Sequence, residues 1–373
     1  MLARMICTFV FTLFSFCYLY DYQADLLTVM QHVFSKGQTH YNHFIGAVLI
    51  TVVMLLIHVG VVRLCHKIRI ATALTFVPSA IFLAMLTDVR ISYIDNELVF
   101  GSWKYIGVLL IVLFAVCVWL ANKSGFVEAL TKSVMQPIRG LWVNLLTMTI
   151  ILLVICLVGN SNKVYHARIH AEQCLMDKDY TGALKAISRC NTTDSCLTML
   201  TAYSLSRKGE LADRLFEFRL LGGSSALMPN GRGLKFELYP ERDFYLYLGG
   251  YFRQKMSAKQ YISYRLRHGK IDKPMADYIL CSLLLDRNID AFAANIGKYY
   301  SVSDSAALPR HYREALTLYT HLRSNPSVIY SSDVMNADFQ DYQNMQKAYS
   351  NEQERMTALR DTYGNTYWFY YDY

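Results

Sequence analysis

The chain has 373 residues, a formal net charge of +8, and 18% charged against 53% hydrophobic side chains. A mean hydropathy of +0.19 is too high for an ordinary water-soluble domain and too low for a chain held wholly in lipid. Division at residue 159 separates the two: residues 1–159 hold ten basic and six acidic side chains, residues 160–373 hold 27 and 23. The modest positive balance is shared by both parts, so it is no sign of a polyanionic partner, and no nucleic acid is expected.

In chain order, the first apolar stretch is Met5 to Tyr20. The bulky residues Cys17 to Tyr22 that follow it offer no small-residue cleavage site, so it reads as a retained helix. The second is about Phe44 to Val62, the third Ile70 to Leu86 with Pro78 inside it, and the fourth Ile106 to Ala121. The fifth, Gly140 to Gly159, carries no Asp, Glu, Lys, Arg or His and is long enough to cross roughly 30 Å of hydrocarbon.

The connections alternate in charge. Arg63, Lys67 and Arg69 sit between the second and third stretches, and Lys123, Lys132 and Arg139 between the fourth and fifth. Asp21 and Asp25, then Asp88, Asp95 and Glu97, mark the intervening connections. Basic loops stay in the cytoplasm. Five crossings then leave the N-terminus inside and residues 160–373 outside, which in a bacterium is the periplasm. Among the apolar stretches, His58 reads as a neutral ring bonded to a neighbouring helix. Asn144, Thr147 and Thr149 read as helix-joining groups. Nearly uncharged stretches give little support to a transporter.

Beyond residue 160 the apolar residues recur at helical spacing. AEQCLMDKDYTGALKAISRC, Ala171 to Cys190, reads as helix, turn, helix, with Ala171 and Ala183 at small-residue positions and Lys178 where a turn glycine is expected. LTAYSLSRKGELADRLFEF, Leu200 to Phe218, repeats the pattern around Gly209, with Arg214 at a small-residue position. A weaker pair is expected to start at Tyr247-Leu248-Gly249-Gly250, and another spans Ala276 to Tyr300 with its turn at Arg287-Asn288. These units resemble degenerate tetratricopeptide repeats. Tyr180 lies 31 residues before Leu211, and Leu211 lies 78 before Ile289, so the array is irregular, with a long Gly-rich insertion from Gly222 to Pro240.

YLYLGGYFRQKMSAKQY, LLLDRNIDAFAANIGKYY and LPRHYREALTLYTHL, within Phe244 to Leu322, resemble the tails of uncharacterised bacterial membrane proteins grouped as a family of unknown function. The resemblance implies a membrane anchor with a repeat-like tail and no particular activity.

Several features bear on chemistry. Cys190 and Cys196, in RCNTTDSC, suit either a short-loop disulfide or two free thiols, and Cys174 and Cys281 are alternative partners. His166 and His170 share a helix face but lack the glutamate placement of a zinc-protease motif, and read as surface histidines. No phosphate loop, dinucleotide fingerprint or nucleophile elbow occurs. No catalytic, cofactor-binding or metal-ligating residue is assigned, and no cofactor. The basic run Arg253 to Lys270 reads as a solvated helix face with inward tyrosines, or as a contact for anionic lipid or an acidic partner. NTYWFYYDY, ending at Tyr373, is expected to pack onto the helical tail.

The expected fold is therefore all-α: a bundle of five transmembrane helices over 1–159, then an α-solenoid of tetratricopeptide-like hairpins over 160–373. The expected function is a protein anchored in the bacterial inner membrane whose periplasmic tail binds another envelope protein. The alternative is an enzyme or accessory subunit of an envelope polymer pathway, with His40, His43, Asp95 and Glu97 as its polar cluster.

Overall fold

The computed structural model describes residues 2–64, 72–91, 98–123, 137–230, 233–254, 256–269, 271–302 and 308–373. The chain divides into two units, Met1–Asn162 and Lys163–Tyr373. Both are helical, and the first also holds one short antiparallel pair.

The first unit contains α1 (Leu2–Cys17), α2 (Ala24–Phe34), α3 (His43–Leu64), α4 (Val77–Thr87), α5 (Trp103–Lys123) and α6 (Pro137–Val158). Strands β1 (Val89–Ile91) and β2 (Leu98–Phe100) pair between α4 and α5, with Val89 opposite Phe100. Among the described residues, four segments are long and apolar enough to cross a membrane: Leu2–Tyr22, His43–Leu64, Trp103–Ala121 and Gly140–Val158. Their outer faces carry exposed aliphatic side chains such as Leu49, Leu109, Leu146 and Leu157. Such a band is incompatible with water and suited to lipid.

The expected third span is corrected. It is a shorter, broken element: a 3₁₀ turn, Thr72–Phe76, followed by α4. Pro78 sits in the first turn of α4, where its missing N–H is not needed, so it marks the junction rather than a kink. Together the two pieces rise about 26 Å, short of the roughly 30 Å core. They pack among α3, α5 and α6, and Phe76, Leu83 and Ala84 are buried.

Two groups of polar bonds join elements of this unit. In one, Asn144 Oδ1 accepts from Ala73 N at 2.9 Å, and His58 Nδ1 lies 3.3 Å from Thr75 Oγ1 with its ring stacked on Phe76. In the other, Asn160 N donates to Thr87 O at 3.0 Å, and Gln23 Nε2 donates to Tyr18 Oη and Asn160 O. The C-terminal ends of α1, α4 and α6 thus meet at one end of the unit. The short element runs in the same direction as the two long helices.

His58 and Asn144 bond to a neighbouring element as expected. Thr147 and Thr149 do not join helices: each hydroxyl donates to the carbonyl four residues back in α6. The basic connections around Lys67, Arg69, Lys132 and the acidic Asp95 and Glu97 lie outside the described residues. Helix α2 occupies what reads in sequence as a plain connection. Its apolar positions Leu26, Leu27 and Met30 are buried, at the spacing of one helix face.

The second unit contains α7 (Lys163–Met176), α8 (Tyr180–Ser188), α9 (Ser195–Lys208), α10 (Leu211–Arg214), α11 (Glu241–Tyr247), α12 (Ala258–His268), α13 (Lys273–Leu285), α14 (Ile289–Ile296), α15 (Arg310–Leu322), α16 (Asp333–Ala348), α17 (Glu352–Tyr363) and α18 (Tyr367–Asp372). Three of its hairpins are closed by the same turn. Lys178, Gly209 and Arg287 each take a left-handed conformation, with φ of 62°, 75° and 55°. The next residue's N–H reaches back to Cys174, Leu205 and Leu283 carbonyls respectively, the closure that normally selects glycine. Asp179 and Asn288 then cap the following helices. Replacing Lys178 with Gly should therefore raise stability by about 0.5–1 kcal/mol, and Gly209→Ala should lower it by at least that much. Thermal unfolding of the detergent-solubilised chain reads both.

The expected hairpins over 171–190 and 276–300 are present. The second hairpin is cut short: the helix leaves its path at Arg214, and a 3₁₀ turn, Leu215–Glu217, follows. Tyr247-Leu248-Gly249-Gly250 does not begin a hairpin. It ends α11, with Gly249 at φ 94° and the Arg265 guanidinium where a Cβ would stand.

A solenoid's repeats touch only their neighbours. Helices α7, α8 and α9 pack in that sequential manner, but α10 packs on both α13 and α15. The insertion folds into the core through Leu227, Met228, Leu234 and Phe236. The regular solenoid order is therefore broken.

Candidate functional site

Among the described residues, the buried carboxylates of the second unit are committed to internal bonds. Glu172 in α7 is fully buried. Its Oε2 accepts backbone N–H groups from Glu237 (2.7 Å), Leu238 (2.7 Å) and Tyr239 (3.2 Å). Its other oxygen lies 3.4 Å from Arg168 Nε. Arg168 also donates to Lys235 O at 2.6 Å and to Glu237 Oε1 at 2.9 Å. Burial pushes the Glu172 carboxyl upward, against the pull of Arg168 and the backbone donors. This cluster ties the Gly-rich insertion to α7.

A second cluster centres on Glu314 of α15. Its Oε2 accepts from His311 Nδ1 at 2.8 Å and from Tyr367 N at 2.7 Å, and its Oε1 accepts from Arg310 Nε at 2.9 Å. Trp368 Nε1 donates to Glu314 O at 2.8 Å. His311 Nε2 accepts from Phe216 N at 3.3 Å, so Nδ1 carries the hydrogen given to Glu314. Arg310 N donates to Asp213 Oδ1 at 2.7 Å. The aromatic stretch at 365–373 thus packs into the domain, as expected.

In a third cluster the Arg207 guanidinium lies over the rings of Tyr180, Tyr203 and Tyr247, 4.8–5.8 Å from their centres. In a fourth, Asp277 accepts hydroxyls from Tyr300 at 2.6 Å and Tyr312 at 3.0 Å. Burial raises the Asp277 carboxyl above its ordinary range despite those two bonds.

The cysteines read as disulfide or thiols are thiols. Cys190 Sγ donates to Lys163 O and Cys196 Sγ to Gly233 O, at 3.4 and 3.6 Å. Cys281 is likewise a thiol, its Sγ 3.7 Å from Tyr312 Oη. His166 and His170 lie on α7 as expected. Among the described residues no three His, Cys, Asp or Glu side chains gather to hold a metal. His43 Nε2 lies 3.4 Å from Thr28 Oγ1, and the His40 carbonyl accepts from Gln31. Asp95 and Glu97, proposed with them as a polar cluster, lie outside the described residues.

An open cleft lies in the stretch between α11 and α12. Helix α11 ends at Gly249, the chain swings outward through Tyr251 to Gln254, and a reciprocal Ser257–Gln260 cap starts α12. The basic run supplies this helix. Tyr261 packs inward, and its hydroxyl donates to Gly250 O at 2.9 Å. The Tyr245 hydroxyl donates to Pro229 O at 3.0 Å. With both hydroxyls spent on the backbone, these rings offer carbon to the cleft. The Tyr245 ring lies 4.9 Å from Tyr261 and 6.4 Å from Tyr251, and Phe252 lies 6.0 Å from Tyr261. The cleft has a volume of about 80 Å³, and Glu241, Arg253, Gln254 and Met256 complete its lining. Sequence reading took the basic run as a helix face and missed this cleft. The only signal for it was the density of aromatic residues around Gly249-Gly250.

A family model described as a family of unknown function, DUF6057, matches residues 232–373. The match begins inside the insertion and includes the cleft lining and Glu314, but not Asp213 and Phe216. No curated protein and no solved structure matches the chain.

Proposed function

We propose that this chain is an integral membrane protein that presents its second unit outside the cytoplasm to bind another protein. The observation that carries this reading is the set of helical hairpins closed by one repeated turn at Lys178, Gly209 and Arg287. Stacked hairpins of this kind expose broad surfaces suited to protein recognition. The buried Glu172, Glu314 and Asp277 are engaged in holding segments together, which favours a scaffold over an enzyme.

The orientation is supported from two directions. Basic connections place the N-terminus in the cytoplasm. The C-terminal ends of α1 and α6 lie at one end of the first unit, so α6 would leave the membrane on the side opposite the start of α1, which supports delivery of the second unit on the far side. Cell envelope proteins are then the partner class, and the bacterial inner membrane the location.

Two measurements on the full chain test this. A reporter active only outside the cytoplasm, fused after Tyr373, should be active. Crosslinking in intact cells should trap a discrete envelope protein through residues 163–373. A silent reporter overturns the orientation, and crosslinks confined to lipid and to the chain itself overturn the partner reading.

A further inference from the structure

We propose that the solvent side of α12, with the turn before it, docks on an anionic lipid surface. This needs the membrane anchor of the first unit, but neither the protein partner nor the orientation. Residues 253–270 hold six Lys and Arg side chains and no Asp or Glu. Residues 160–373 hold 27 basic and 23 acidic side chains in all, so this run accounts for the whole positive balance of the second unit.

Within α12 the two sides are divided. Ala258, Tyr261 and Arg265 are buried. Lys259, Ser263 and Arg267 recur at every fourth position on the other side and are exposed. The Asp286 carboxylate lies 3.9 Å from Lys259 Nζ, a pair open to water and so of little weight. Apolar groups flank this basic line: Tyr264 is 38% and Leu266 49% exposed, and Arg253 and Tyr251 in the preceding turn are exposed too. Tyr261 packs inward as expected, but Tyr264 does not. Its ring stacks on His268 and meets Phe252 edge-on, 4.7 Å from each. Exposed Tyr and Leu beside Lys and Arg suit a membrane–water interface, where phosphates take the cations and the rings sit among head groups. Long flexible cations on a convex helix side match a fluid array of phosphates better than one fixed acidic protein surface. The membrane anchor raises the effective concentration of that array, so a modest affinity suffices.

The test uses the full chain in nanodiscs, with photoreactive p-benzoylphenylalanine in place of Leu266 and lipid adducts at that position scored by peptide mass spectrometry. Nanodiscs expose both lipid faces, so the result does not depend on orientation in the cell. Adducts should be at least tenfold more abundant with phosphatidylglycerol in the disc than with phosphatidylcholine alone. They should fall when salt is raised to about 0.5 M, as screening requires. R253Q, K259Q and R267Q combined should abolish the preference, since each basic side chain near an anionic surface contributes about fivefold. The combined R253K, K259R and R267K should retain it. All these side chains are exposed, so circular dichroism and thermal unfolding should be unchanged. Equal adducts in both lipids, no adducts in either, or a preference that survives the Gln substitutions overturns the proposal. Crosslinking in intact cells that joins position 266 to a protein in place of lipid also overturns it, and assigns the surface to an acidic protein partner.

Discussion

Replacing Glu314 with Ala should release the last helix, α18, from the second unit and lower stability by about 3–5 kcal/mol. One carboxylate takes hydrogen bonds from His311, Arg310 and the Tyr367 backbone. Its removal leaves a buried imidazole N–H and a buried backbone N–H without an acceptor, and each such orphan carries its own desolvation penalty. Tyr367 and Trp368, both almost fully buried, would then lose the bond that seats them. Glu314→Gln keeps an acceptor and should lose less. The contrast is the exposed Arg323–Asp290 pair, equally short at 2.6 Å. Asp290→Ala should have no measurable effect, because water screens that pair. Thermal unfolding and limited proteolysis at residues 363–373 report both. Unchanged protease resistance in Glu314→Ala would refute the account.

Glu172→Ala should have an effect of similar size for a related reason. Three consecutive backbone N–H groups, at 237–239, and the buried Arg168 lose their shared acceptor. Arg168 keeps Glu237 at 2.9 Å, so the three orphaned backbone N–H groups dominate the loss, again about 3–5 kcal/mol. A local readout distinguishes this from general destabilisation. Cys196 is covered by the same insertion, bonding to Gly233 O, and burial pushes its thiol up to about 11. In the wild type it should resist maleimide at neutral pH, since the thiolate is the reactive form. Glu172→Ala should speed its labelling at least tenfold, scored at that site by peptide mass spectrometry. Equal rates in the two proteins would mean the insertion is held by its apolar side chains alone.

Much of this architecture was legible in the residue pattern. Uncharged runs of helical length gave four long spans directly. The hairpins over 171–190 and 276–300 were readable from small residues and polar turns. Even Lys178, which breaks the glycine rule, occupies the glycine conformation, because the closure on either side enforces it. The failures have physical causes. The apolar stretch Ile70 to Leu86, with Pro78 inside it, reads as a span by composition, but its length depends on how much is 3₁₀ and how much α. Gly249-Gly250 could open a hairpin or end a helix, and only the Arg265 contact decides. The cleft and the two glutamate clusters were invisible because their members are far apart in sequence. Phe216 and His311, for example, are separated by 95 residues.

That separation also governs how the second unit must fold. An array of repeats can nucleate anywhere and grow one hairpin at a time. Here Asp213 and Phe216 are bonded to Arg310 and His311, so closing the domain requires a long loop to be ordered before its contacts reward it. Hairpin-by-hairpin growth would stall at α10. The unit should instead appear in a single slow, all-or-none step, with the early hairpins forming rapidly but holding no independent stability until the segment around residue 310 arrives.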